Sequence, residues 1–535
     1  MSNLGFGKSY SEAGARRKAN ALALAIATLV GIGLVLLLLR GAVATPFSDE
    51  FYFFELYRSA NEGRIDFSEI VRPHFGHMYV LLKSWLWFVV RHDIDWRVSM
   101  YLGALFIAMT VALMLHYSLV RGAPKLRLAV ALGIALALGS MRQAENVYWA
   151  MQLSGPAMIF FSVAAFYAVA LYGETQRNGY AALALACGFL SYLSTGGGLM
   201  SFSLTIFALF VMARKNSLRL AYVAVGIIFL AGVMSYTRQA LQASSSAPSL
   251  LNAQNFVLYC LAFIANALYS FSERGDDIRS LLMGGAILVC TAYLVKASWR
   301  EKKKHVFAYL LIAFSLASCL AIAYARLKSG LWQPNAPRYY PSAAAILLGN
   351  LLILGRGTGK GNAGLALLAV VLISISFARI YAVEWRASPY RHHNLSEAHL
   401  RLCSGSAEGL AYFGALEFTN TTVIRNTFCS AKDLANIATL SQPILHQMGP
   451  DQTGAGVLFN PFNGESAMWM KTENCEQFCT LVFDGKELPV VVAEKGALLT
   501  AAIPKELYAT PGEKSVYIRN TLSKKNSRTL TFRVN

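Results

Sequence analysis

The chain has 535 residues, of which 55% are apolar and 14% charged, and its net charge is +19. Soluble proteins carry roughly 25% charged residues, so a string of ordinary water-soluble domains is excluded. Eight cysteines over this length are too few for a disulfide scaffold, and the apolar content excludes a disordered chain, collagen or a coiled coil.

Many apolar runs approach or exceed the length, about 20 helical residues, that crosses a hydrocarbon layer of about 30 Å. They predict a polytopic α-helical membrane protein with about eleven transmembrane helices, near 20–42, 98–120, 126–141, 155–173, 180–194, 197–213, 218–236, 279–297, 306–325, 341–355 and 364–382. Residues 1–19 form a cytoplasmic tail and 20–382 the membrane domain, with an outer loop at 43–97. The first run ends in Ala42-Val43-Ala44, which has the form of a signal-peptidase site. Its apolar stretch is too long for a signal h-region and Arg40 interrupts the cleavage region, so a retained signal anchor is expected.

With the N-terminus inside, the cytoplasmic segments hold 18 Lys/Arg against 3 Glu, whereas the first outer loop, 40–77, holds 4 Arg against 6 acids. That asymmetry accounts for the basic balance through the positive-inside rule, and no nucleic-acid partner is needed. It holds only if two apolar stretches do not cross. Met78–Val90, broken by Lys83 and carrying Trp85 and Trp87, and Phe256–Phe271 are therefore read as helices in or near the outer interface.

From Glu384 onward, 15 Lys/Arg and 14 Asp/Glu nearly cancel, and period-2 apolar segments appear. The expected domain, 383–535, opens with a helical stretch near 394–440 and continues as a β-sandwich from about 455. Strands are expected at 467–472, 479–484, 488–493, 497–502, 515–520 and 528–534. The topology puts this domain outside, where Cys403, Cys429, Cys475 and Cys479 can form two disulfides in any of three connectivities; Cys403–Cys429 and Cys475–Cys479 are the expected pairs. Cys187, Cys260, Cys290 and Cys319 read as free thiols buried in the membrane.

The membrane cores hold almost no ionisable residues, which argues against an ion-coupled pump. Polar residues collect instead at the outer helix ends. Asp49 and Glu50 follow the first span; adjacent carboxylates there are a candidate general base, and equally an acidic helix cap. Arg58, Arg72, His74, His77 and Lys83 continue the same loop and could hold a phosphate, or could be solvated charges. His74 and His77 lack the companion ligands a metal site needs. Arg142, Gln143, Glu145, Asn146, Trp149 and Gln152 open the fourth span and mix hydrogen-bonding groups with an aromatic, as sugar recognition requires. Arg326, Lys328, Trp332, Gln333, Asn335, Arg338 and Tyr339 form a third outer group. The run Gly196-Gly197-Gly198 lacks the lysine of a phosphate loop and reads as a point of close helix approach.

Asp49-Glu50-Phe51 just after the first helix, together with interfacial helices, many spans and a C-terminal outer domain, resembles the GT-C membrane glycosyltransferases. Pro73-His74-Phe75-Gly76-His77 is similar to the HNEH segment of uncharacterised bacterial GT-C-like proteins. Likewise Gln143-Ala144-Glu145-Asn146-Val147-Tyr148-Trp149-Ala150-Met151-Gln152 is similar to their QWENFLWGFQ, and Arg338-Tyr339 to their later RY. Phe75-Gly76 stand where that pattern has Asn-Glu, and Ala144 where it has Trp. The closing strands at 497–503, 515–519 and 529–534 resemble immunoglobulin-like sandwiches of the IPT kind. The GT-C resemblance implies a multi-pass protein of the bacterial cytoplasmic membrane with its C-terminal domain in the periplasm. It implies sugar transfer from a polyprenyl-phosphate-linked donor to a glycan or glycolipid acceptor, with inversion. Asp49 would be the base and Glu50 its helper. Arg142, Glu145, Asn146, Trp149 and Gln152 would bind sugar or phosphate, with Arg338 on the phosphate. No cofactor is implied; a divalent cation is left open. The competing readings are a polysaccharide polymerase or ligase, and a non-enzymatic transporter or scaffold with an outer glycan-binding module.

Overall fold

A computed structural model describes residues 6–535 apart from 47, 75–76, 243–252, 269–276, 327–332, 358–359, 405–420, 430–441, 463, 476–478, 494–496 and 522–524. The chain divides into two compact units. One comprises Met1–Leu39 with Glu62–Trp385, the other Arg40–Asn61 with Arg386–Asn535.

The helices, in chain order, are α1 Phe6–Gly41, α2 Phe54–Asn61, α3 Phe67–Val71, α4 Val80–Arg91, α5 Arg97–Arg121, α6 Arg127–Leu138, α7 Ala144–Tyr148, α8 Ser154–Thr175, α9 Asn178–Ser194, α10 Gly198–Met212, α11 Asn216–Gln242, α12 Ala253–Ala265, α13 Ile278–Ser298, α14 Val306–Arg326, α15 Tyr340–Arg356, α16 Lys360–Ser404 and α17 Thr421–Phe428.

Among the described residues, seven helical stretches are long and apolar enough to cross a membrane: Arg17–Gly41, Arg97–Arg121, Arg127–Tyr148, Ala150–Thr175, Asn216–Met234, Ile278–Arg326 and Asn362–Pro389. The sixth contains both α13 and α14, which are joined by the basic turn Trp299–His305. Helices α9, α10 and α15, also expected as spans, are 17, 15 and 17 residues long and fall short of that length. α4 is 12 residues and α12 is 13, too short for a full crossing.

The first unit presents apolar side chains outward as well as inward. Leu29, Leu39, Ile227, Ile228, Val289 and Ile375 are all well exposed. A water-facing surface would not carry so many, whereas lipid solvates them without cost. Inside, one continuous core links α5, α6, α8, α10, α14 and α15 through residues such as Val111, Ile134, Phe166, Leu209, Phe314 and Leu351. Lipid tails are as apolar as leucine, so close approach drives helix association in a membrane. The triple glycine shows this. A Cβ at Gly198 would sit 2.0 Å from the Ser191 carbonyl oxygen, one at Gly197 2.6 Å from the Met158 sulfur, and one at Gly196 2.2 Å from His77 Nδ1. Each glycine admits a neighbour that any side chain would displace.

The second unit contains ten strands: β1 Ile444–Gly449, β2 Gln452–Thr453, β3 Pro461–Phe462, β4 Glu465–Glu473, β5 Cys479–Phe483, β6 Lys486–Leu488, β7 Val491–Ala493, β8 Leu498–Ile503, β9 Gly512–Asn520 and β10 Leu530–Val534. They form two five-stranded sheets, one ordered β1-β4-β8-β7 with β3 beside β4, the other β2-β10-β9-β5-β6. Alternate residues of β4 point inward, and Met468 and Met470 share a core with Leu481, Phe483, Ile518 and Phe532 of the facing sheet. The hairpin β5–β6 turns on Asp484-Gly485, both at positive φ, as a two-residue loop requires. The sheets begin at Ile444, ahead of the boundary expected near 455, because β1 pairs with β4 across a bulge that hides its alternation.

The same unit holds Arg40–Asn61, the segment that follows α1 and carries the acidic pair. The Thr45 hydroxyl lies 2.6 Å from His399 Nδ1, Asn61 Nδ2 donates to Thr427 Oγ1 at 2.9 Å, and the rings of Tyr57 and Phe428 meet edge to face at 5.2 Å. The disulfides are Cys403–Cys429, which links α16 to the residue after α17, and Cys475–Cys479, with Cα separations of 5.5 and 5.3 Å. Cys187, Cys260, Cys290 and Cys319 are free.

Candidate functional site

The acidic pair lies on a short 3-10 helix, Ser48–Phe53, that leads into α2. Its two members differ in access. Glu50 is fully buried, while Asp49 is half-buried. Burial, together with the Glu50 charge, holds the Tyr57 phenol far above its ordinary value, so Tyr57 stays protonated and can act only as a neutral hydroxyl. Of the pair, Asp49 is the carboxylate that a substrate could reach.

Arg58, on α2 of the same unit, forms an ion pair with Glu55 one turn earlier. In the first unit, Arg72 pairs with Glu69 at 2.8 Å, and its side chain is largely exposed. Exposed pairs of this spacing contribute little, and both arginines read as surface groups. Lys83 is buried, and its ammonium donates to the carbonyl oxygens of Glu69 at 2.8 Å and Arg72 at 2.7 Å. It ties the loop to α4. Desolvation lowers its pKa to about 8, against the opposing pull of Glu69. His74 and His77 close a small turn through reciprocal backbone hydrogen bonds of 3.0 and 2.9 Å. Burial, with the charge of Arg326 nearby, lowers His77 to about 4, and burial beside Lys83 lowers His74 similarly to about 4. Both rings are neutral at physiological pH and offer little grip on a phosphate. Phe75, Gly76, Lys328 and Trp332 lie outside the described residues.

The polar groups that precede α8 and α15 come together. A first segment folds as two short 3-10 turns around α7, with the Ser140 hydroxyl capping the backbone N–H of Arg142 at 3.2 Å. A second segment, Gln333–Tyr340, runs beside it as two 3-10 turns, each containing a proline. Arg142 Nη2 donates to the Asn335 carbonyl oxygen at 3.0 Å, and Asn146 Nδ2 to that of Arg338 at 3.3 Å. Arg338 Nη1 meets Glu145 Oε2 at 3.0 Å, with side chains 28% and 33% exposed, and the guanidinium lies 5.2 Å from the Tyr339 ring centre. Residues almost 200 positions apart in the chain thus form one polar nest at the helix ends.

Parts of the nest are structural. Gln143 is buried and donates to the Leu138 carbonyl oxygen at 2.6 Å, so it braces the end of α6. Trp149 and Gln152 are half-buried on the following turn. Other parts are unsatisfied: Arg142 Nε and Asn146 Oδ1 are buried with no hydrogen-bonding partner among the described residues. Sequence reasoning missed Asn266, a buried amide just after α12. Its Nδ2 donates to the Pro334 carbonyl oxygen at 2.9 Å, and its Oδ1 is likewise without a partner. The signal was there: it is a lone amide inside the apolar run Phe256–Phe271. Buried polar atoms are nearly always paired, so one guanidinium donor and two amide acceptors left over mark a place that water or a polyhydroxylated ligand would complete.

Among the described residues, the His/Cys/Asp/Glu side chains gathered closely enough to hold a metal are His399, Cys403 and Cys429. The two sulfurs are joined to each other, and both His399 nitrogens are engaged: Nε2 faces the Phe428 carbonyl oxygen at 2.6 Å and Nδ1 the Thr45 hydroxyl. A carbonyl only accepts, so Nε2 carries the proton. Comparison with family models, curated proteins and solved structures finds no match to this chain.

Proposed function

We propose that this protein is a membrane glycosyltransferase, with about eleven spans, that moves a sugar from a polyprenyl-phosphate donor to an envelope glycan acceptor on the outer face of the cytoplasmic membrane. The observation that carries the reading is the set of unsatisfied buried atoms on Arg142, Asn146 and Asn266 beside the Arg338–Glu145 pair. One donor and two acceptors beside a partly exposed ion pair suit a ligand that offers both hydroxyls and phosphate oxygens. The grouping of Arg40–Asn61, which carries the acidic pair, with the C-terminal sheets in one compact unit agrees with placing both on the same side of the membrane.

In this reading the acceptor hydroxyl oxygen attacks the anomeric carbon and the bond from that carbon to the phosphate oxygen breaks. The phosphate leaves with the electron pair, and the hydroxyl proton passes to Asp49. One displacement inverts the centre. A leaving phosphate needs charge balance more than a proton, which is the role given to Arg142 and Arg338. Glu50, being buried, positions the turn that carries Asp49.

A second reading has one observation in its favour. Arg142, Gln143 and Asn146 each donate to a backbone carbonyl, as residues bracing a scaffold would. The two separate on substitution at Asp49, the carboxylate to which the first reading gives the proton. Asp49→Asn at normal expression should abolish transfer in the first reading and change nothing in the second. The readout is the mass spectrum of envelope glycans from cells carrying each variant.

A further inference from the structure

A cavity of about 240 Å³ lies among α13, α15 and α16, and none of the polar-nest side chains lines it. Its floor is formed by the buried Ile287 and Leu351 and its mouth by Leu368 and Leu372, which are 55% and 39% exposed. These helices lie in or beside the stretches long and apolar enough to cross a membrane, so the exposed leucines face lipid and the mouth opens laterally. The cavity is larger than the dry apolar void of about 150 Å³ known to admit a benzene ring.

One lining residue breaks the apolar pattern. Asn350 is 6% exposed, and its Nδ2 donates to Thr291 Oγ1 at 2.8 Å. The Thr291 hydroxyl gives its own hydrogen to the Ile287 carbonyl oxygen at 2.7 Å, so Thr291 Oγ1 can only accept from Asn350. That fixes the orientation of the amide. Its Oδ1 is therefore the atom left over, buried and without a partner among the described residues. An unsatisfied acceptor in a low-dielectric wall is costly, and it demands a donor from whatever fills the space.

We propose that this cavity binds the chain of a bilayer lipid that carries a hydroxyl group, with the hydrocarbon against Ile287, Leu351 and Leu372 and the hydroxyl donating to Asn350 Oδ1. A plain alkyl chain fills the volume and leaves the oxygen unmet; a hydroxylated chain does both. This site is separate from the one assigned to sugar transfer and does not depend on it.

Cys290, a free thiol in the lining, reports occupancy without any engineering. Full-length protein in detergent is treated with a small maleimide, and the labelling rate at Cys290 is followed by peptide mass spectrometry with 1-dodecanol or dodecane present. Dodecanol should protect Cys290 at about tenfold lower concentration than dodecane, the scale of one hydrogen bond formed out of water. Asn350→Leu should bring the two probes to equal potency. Leu368→Trp, at the exposed mouth where folding tolerates change, should weaken protection by both and leave Cys187 labelling unaltered. Equal potency of the two probes on the unaltered protein, or protection unaffected by Leu368→Trp, would overturn the assignment.

Discussion

Removing the Cys403–Cys429 bridge tests how the second unit is held. The bridge closes a loop of 26 residues, and Cys475–Cys479 closes one of 4. In the chain-entropy description, the first restrains the unfolded chain by about 3.5 kcal/mol and the second by about 2 kcal/mol. The first also fastens α16 to α17, which contact the acidic loop through His399 with Thr45 and through Phe428 with Tyr57. Paired Cys403→Ser and Cys429→Ser substitutions should therefore raise amide hydrogen exchange in 386–404 and 421–428 by roughly two orders of magnitude, with 97–121 unchanged. Paired substitutions at Cys475 and Cys479 should act about tenfold more weakly, and on the sheets. The full-length protein in detergent serves for both, read by mass spectrometry. If the 4-residue loop proves the more important, or if opening the 26-residue loop leaves 386–404 protected, the reasoning from loop length fails.

Other outcomes follow from single contacts. A double-mutant cycle with Glu145→Gln and Arg338→Met should give a coupling of about 1 kcal/mol in thermal unfolding, as suits a half-buried pair; zero coupling would remove the pair from the nest. Unfolded imidazole takes a proton near pH 6.5, but His77 in place takes one only near 4, so the unfolded state binds more protons between those values. Stability of the 62–97 loop should fall as pH drops from 6.5 toward 4 and level off below, and His77→Asn should reduce this slope; an unchanged slope on hydrogen exchange would refute it. Lys83→Met leaves two carbonyl oxygens without their donor and should cost about 2 kcal/mol or more, seen as protease cleavage within 66–80. Thr45→Val takes the hydroxyl from His399 Nδ1 and should destabilise the second unit by about 1 kcal/mol in thermal unfolding.

The parts of the fold legible in the sequence are those with local causes. Alternation in Glu465–Glu473 and Gly512–Asn520 marks strands because one face meets the core, and the Asp484-Gly485 turn follows from the φ that only such pairs adopt readily. The glycine run at 196–198 reads as close packing because nothing else explains three missing side chains. What was hidden is long-range. Thr45 and His399 are 354 positions apart, and no pattern in either segment announces the other. Short strands such as Gln452–Thr453 and Pro461–Phe462 are too brief to alternate. At the polar nest, the sequence marked Arg142, Glu145, Asn146 and Arg338 but could not apportion them. Geometry sets Gln143 to bracing the chain and leaves Arg142 Nε and Asn146 Oδ1 open. Of the first loop's basic residues, Lys83 turned out to be held by carbonyl oxygens and Arg58 and Arg72 by their own helical neighbours.

Glycosyl transfer is tested most directly by comparing envelope glycans from cells making the unaltered protein, the Asp49→Asn variant or none, at matched membrane levels. One sugar residue, present with the unaltered protein, should be missing in the other two. A glycan that keeps that residue in the Asp49→Asn cells would contradict it.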